Sequence, residues 1–151
     1  MAIRSLLVAA SLMLASTFAT AASDGLIAVK SPHSAKETMN RLEDIVKKRG
    51  LKVFVRVDHA AGAASVNMKL RPTEVLVFGN PQGGTPFMLC EQTVGIDLPL
   101  KALVWEDAAS QVWLGYNDPA WLASRHGATN CPVVGNLSKA LEGIANAAIQ
   151  P

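Results

Sequence analysis

Long runs of like charge are missing from this sequence. The longest basic run is Lys47-Lys48-Arg49, and the net charge is only +2. A nucleic-acid surface needs a basic stripe or patch, so that partner class is excluded. Cysteine is scarce: Cys90 and Cys131 are the only two, 41 positions apart. That spacing is neither a CxxC redox motif nor a zinc knuckle. His33, His59 and His126 form no HExxH pair or other local metal spacing, so no metal site is expected. No GxSxG nucleophile elbow occurs. Repeats and low-complexity tracts are absent, and no complete cofactor-binding motif is present, so no cofactor is expected.

What is present begins at the N-terminus. Arg4 supplies a positive charge, Ser5 to Phe18 carries none and is mostly Leu, Val, Ala and Met, and Ala19-Thr20-Ala21 is a small-x-small cleavage site followed by Ala22. That order is the secretory pattern, and residues 1–22 are expected to be a signal peptide. The apolar run is shorter than the about 20 residues a membrane-spanning helix needs, and no other stretch is long and apolar enough, so no membrane span is expected after cleavage. Cleavage removes Arg4 alone among the charged residues and takes the net charge from +2 to +1. The remaining stretch, 23–151, is about the size of one domain with one core, and the expected location is the periplasm or outside the cell. Two cysteines in an exported chain usually pair, and closing such a loop stabilises a fold by roughly 4 kcal/mol in the chain-entropy model. Two separate buried thiols are the alternative, and geometry decides between them.

Along this stretch the pattern alternates strands and helices. Leu26 to Lys30 reads as a strand. Ser34 to Arg49 reads as a helix, with Ser34 and Glu37 as a capping box and Met39, Leu42, Ile45 and Val46 as its apolar stripe. Val53, Val55 and Val57 alternate with Phe54, Arg56 and Asp58 as a half-buried strand. Asp58 then suits the N-cap of a short turn from His59 to Ala64. Glu74 to Gly79 reads as a central strand. Asn80 to Pro86 holds two Pro and two Gly and reads as a loop, with Thr85-Pro86 opening a short helix through Glu91. Lys101–Glu106 and Gln111–Tyr116 read as a hairpin that pairs Trp105 with Trp113. Asp118-Pro119 starts another short helix ended by Gly127, and Leu137, Leu141, Ile144 and Ala148 mark one face of a C-terminal helix. The fold class implied is a single α+β domain with an antiparallel or mixed sheet and helices packed on one face.

Candidate site residues gather at strand ends. The segment Gly79 to Thr85 mimics part of a P-loop but lacks its lysine, so nucleotide binding is not supported. Backbone N–H groups of Gly83 and Gly84 could still approach a ligand. The expected site lies where Asn80, Gly83, Gly84 and Thr85 meet Asp97, Lys101 and the Tyr116-Asn117-Asp118 turn, with His59 and His126 as outer members. Asp97 and Asn117 would supply oriented polar contacts in a mostly apolar pocket. The bland account makes Asp97 and Lys101 a surface ion pair and the loop a connector.

Longer blocks carry a family resemblance. Asp58-His59-Ala60-Ala61-Gly62, the stretch from Arg71-Pro72-Thr73-Glu74 through Gly79-Asn80-Pro81, and Gly84-Thr85-Pro86 form the first part. Gly95-Ile96-Asp97-Leu98-Pro99-Leu100-Lys101 running on to Asp107, then Tyr116-Asn117-Asp118-Pro119 and Arg125-His126, form the second. In register from about Leu26 to the C-terminus, the chain resembles the domain of unknown function 302 family. The resemblance implies a compact α+β domain and no assigned activity. Cys90 and Cys131 fall outside these blocks, which makes their pairing an adaptation to export. The leading functional expectation is a non-catalytic periplasmic domain that binds a small ligand or a partner. The alternatives are a small acid–base enzyme using His59, Asp97, Glu106 or His126, and a structural homodimer unit.

Overall fold

The computed structural model describes residues 25–151. The expected signal peptide, 1–22, lies outside the described residues. The elements run β1 (Leu26–Ser31), α1 (Ala35–Lys48), β2 (Lys52–Asp58), α2 (His59–Ser65), β3 (Thr73–Gly79), α3 (Pro81–Cys90), a 3-10 turn (Gln92–Ile96), β4 (Leu100–Glu106), β5 (Val112–Asn117), α4 (Pro119–Arg125) and α5 (Val134–Ile149). The five strands form one sheet in the order β1-β5-β4-β3-β2, and every neighbouring pair is antiparallel. The fold is α+β, and the sheet is antiparallel, not mixed.

Local chemistry explains most of these elements. The Ser34 hydroxyl accepts the Glu37 amide and caps α1. Asp58 and Asp118 cap α2 and α4 in the same way, and Pro119 occupies the first turn of α4, where no intrahelical N–H is needed. Gly50 and Gly127 take positive φ just past the ends of α1 and α4, a conformation that favours glycine. Helices α1 and α5 cover one face of the sheet. Met39, Leu42 and Val46 of α1 and Leu141, Ile144, Ala145 and Ala148 of α5 bury against Leu76, Phe78, Val104 and Leu114.

Two sequence expectations fail, each for a visible reason. Asn80 to Pro86 is not a loop. Asn80 is the N-cap of α3, its side chain accepting the Gly83 amide at 2.8 Å, and Pro81 opens the helix. Thr85 and Pro86 therefore lie inside α3 and do not start it. The alternation expected in β2 is also broken. The pairing shifts between Val53 and Val55, leaving Phe54 as the extra residue of a β-bulge. Val53 pairs with buried Phe78, whereas Val55 and Val57 turn to the opposite face and are exposed.

That opposite face lies away from α1 and α5. Val75, Val77, Leu103, Trp105 and Trp113 lie there half-buried. Trp105 and Trp113 stack with ring centroids 6.2 Å apart, as their cross-strand register predicts. Trp105 also lies against Gly115, where an added Cβ would come within 2.9 Å of its ring.

Candidate functional site

A second apolar cluster sits at the end of the sheet where β3 delivers the chain into α3. Phe87, Val94, Leu122, Ala123, Ala128, Cys131 and Leu137 form it. Between this cluster and the main core lies a cavity of about 340 Å³. Leu51, Phe54 and Phe78 line it from the sheet side, and Leu141 and Ile144 from α5. Met88, Leu98, Pro99, Leu100 and Leu137 complete its apolar wall. The volume lies at the lower end of the range for small-molecule sites. No charged side chain lines it, so a full charge placed inside would lose hydration without compensation.

Asn80, Gly83, Gly84 and Thr85 all line this cavity, so the structure brings that part of the expected site together. The other members behave differently. The Gly83 amide is bonded to the Asn80 side chain and the Gly84 amide to the Asn80 carbonyl at 3.1 Å. Both amides that would have cradled an anion are already engaged. Tyr116 is buried in the main core, where burial raises its phenol pKa. Asn117 is exposed at the end of β5. Neither lines the cavity. His59 begins α2 at the far end of β2, and Glu106 ends β4 at that same far end. Seven-residue strands place those two on the order of 20 Å from the Gly79 end.

Asp97 and His126 do meet, outside the cavity. His126 Nε2 lies 2.7 Å from Asp97 Oδ2, and Arg125 Nη1 lies 3.3 Å from Asp97 Oδ1. Lys101 does not pair with the Asp97 carboxylate. Its ammonium donates to the backbone carbonyls of Asp97 and Pro99, at 2.8 and 3.1 Å. His126 Nδ1 is 3.0 Å from the Thr93 hydroxyl, which is itself 3.0 Å from Glu91 Oε1. The Thr93 amide and then its hydroxyl hold the Glu91 carboxyl below its ordinary pKa. Sequence reasoning missed Thr93 and Glu91, because their partner is more than thirty positions away and no local motif announces it.

The carboxylate–imidazole–hydroxyl order resembles a hydrolytic relay. Its chemistry is nevertheless poor for that purpose. A neutral imidazole donating to Asp97 can accept the Thr93 proton, but the Glu91 carboxylate beside the hydroxyl would oppose negative charge developing there. No relay residue lines the cavity. The network instead joins the 3-10 turn to the end of α4. The disulfide Cys90–Cys131, with Cα atoms 5.9 Å apart, joins the end of α3 to the segment before α5. Among the described residues no group of three or more His, Cys, Asp or Glu could hold a metal ion. No described helix is long and apolar enough to cross a membrane.

The model of the family described as "Domain of unknown function DUF302" matches residues 27–144. The chain belongs to this family. A crystal structure of an uncharacterized conserved family protein from Bacillus stearothermophilus superposes with a TM-score of 0.66 at 22% identity, covering 83% of this chain and 95% of that one. It shows a shared fold. Among curated proteins, the fluoride-specific ion channel FluC 1 of Brucella suis biovar 1 is 53% identical over 102 residues, which is 68% of this chain and 40% of the channel. The protein of the same name from Brucella abortus biovar 1 is also 53% identical over 102 residues, 38% of its length. The chain thus spans about two fifths of the curated relatives it matches.

Proposed function

We propose that this family member is a non-catalytic periplasmic domain that binds a small apolar ligand in the cavity between its two apolar clusters. The observation that carries this reading is the cavity itself, a site-sized concavity open to solvent on one side and walled by Leu, Met, Phe and Pro side chains. A mostly apolar concavity with a few polar groups at one side is the usual form of a small-molecule site. Export supplies the compartment. The expected mature N-terminus lies near Ala22 or Ser23, and N-terminal sequencing of periplasmic protein checks it. An intact Met1 on soluble cytoplasmic material would overturn that part. For the ligand, native mass spectrometry of protein purified from its own periplasm should find a bound small molecule lost on denaturation. A spectrum of bare protein, unchanged when apolar compounds are added, would contradict the proposal.

A second reading comes from the channel relatives. The stretch they share with this chain is under half of their length, and in this chain it includes no described helix able to span a membrane. In this reading the remaining three fifths of those proteins carry the channel, and the shared domain serves it. The domain would then work beside a fluoride channel. Deleting its gene should alter fluoride tolerance, and unaltered tolerance would set this reading aside.

A further inference from the structure

Resting on the cavity reading above, we infer that the ligand is an anionic amphiphile, its alkyl tail in the cavity and its head held at the mouth by Lys52. The lining excludes a buried charge, so any charged part of a ligand must stay at the rim. Lys52 does not itself line the cavity but adjoins it through three neighbours that do. Leu51 precedes it, Gly79 is its cross-strand partner, and the Phe54 ring lies 5.0 Å below its Nζ. The bulge in β2 puts Phe54 here. Without the extra residue, strand alternation would carry this ring to the face opposite Val53 and buried Phe78, away from the core. At 48% exposure Phe54 forms a half-open mouth and not a plug.

Lys52 is also unclaimed by any carboxylate. Among the described residues it makes no ion pair, and its contact is the aromatic face of Phe54. No acid lines the cavity to neutralise it. An ammonium over an aromatic ring, above an apolar space, matches the two ends of a molecule with an anionic head and a hydrocarbon tail. Lys101, held by the carbonyls of Asp97 and Pro99, adds a second cation beside lining residues Pro99 and Leu100. A free alkyl carboxylate and the acyl chain of an anionic phospholipid share this chemistry.

The test titrates three probes of one tail length below their micelle concentrations: decanoate, decanol and decyltrimethylammonium. Decanoate should bind best and the quaternary ammonium worst. Lys52→Glu should weaken decanoate by about fivefold or more while leaving decanol unchanged. Reversal of an exposed charge elsewhere, Lys36→Glu, should change neither. Sedimentation with phosphatidylglycerol vesicles, compared with phosphatidylcholine, distinguishes the sources. Lys52-dependent capture by the anionic vesicles assigns a bilayer lipid, and decanoate binding without capture assigns a free amphiphile. Equal binding of all three probes, untouched by Lys52→Glu, would overturn the head-group inference and leave the cavity reading standing. Binding of none, with no vesicle capture, would overturn both.

Discussion

At the centre of the sheet, Met39, Leu42 and Val46 meet Leu76, Phe78, Leu114 and Ile144 with no covalent link among them. At the Gly79 end, Phe87, Val94, Leu122 and Leu137 form a smaller cluster that a disulfide and the Asp97–His126–Thr93 network fasten at its margins. The central cluster is a helix-on-sheet core that apolar burial can sustain. The smaller one gathers side chains from α3, the 3-10 turn, α4, the segment after it and the start of α5, none of which packs against the sheet centre. The cavity lies between a self-sufficient core and a fastened cap. Such a seam can stay open where a single continuous core would close.

The largest expected effect comes from the centre. Leu42→Ala removes a fully buried side chain and should cost about 2–5 kcal/mol of global stability, read by denaturant unfolding. A cost below about 1 kcal/mol would mean that the two clusters are not distinct in kind.

Next is the disulfide. Cys90→Ala with Cys131→Ala should cost about 2–4 kcal/mol, and amide exchange should rise in α3 and the 3-10 turn well before α1. Uniform loosening of the whole chain would erase the distinction between core and cap.

A smaller loss follows from His126→Ala, which removes the bonds to Asp97 and Thr93 and should cost about 1–2 kcal/mol by thermal melting. No loss at all would show that the network does not fasten the cap.

The smallest effect belongs to the far side of the core. Hydrogen bonds from Lys47 and then Arg56 lower the Glu43 pKa. A carboxyl held lower in the folded state contributes stability above its unfolded pKa, around 4, and loses it as pH falls through the folded value. Glu43→Gln should therefore flatten the acid limb of the stability curve slightly and leave ligand binding unaltered.

Much of this was legible in the sequence because the signals are local. The α1 cap at Ser34, the α2 cap at Asp58, the Asp118-Pro119 start of α4 and the stripe of α5 all read through to the structure. Asn80-Pro81 is the same cap-and-proline pair as Asp118-Pro119, yet the glycines after it pointed to a loop. Here capping and packing against Leu98 and Leu137 outweighed glycine's poor helix propensity. The bulge at Phe54 was not legible. Val-Phe-Val-Arg-Val is apolar on both strand faces, and only pairing with β3 decides which residue is extra. Four residues of the expected site line the cavity, but the apolar side chains that shape it come from four separate stretches, 51–54, 78–88, 95–100 and 137–144, with no shared motif. The pairing of Asp97 with His126 was one of several open combinations, and tertiary structure chose it over Glu106.

The central claim is that the space between core and cap holds a small apolar molecule. Ala140 lines that space from α5 and is exposed, so Ala140→Phe can fill it with little disturbance to the helix. Calorimetric titration of the folded protein with decanoate should show one site per chain in the parent and none in Ala140→Phe at an unchanged melting temperature. Equal binding by the two proteins would place the ligand elsewhere and contradict the account.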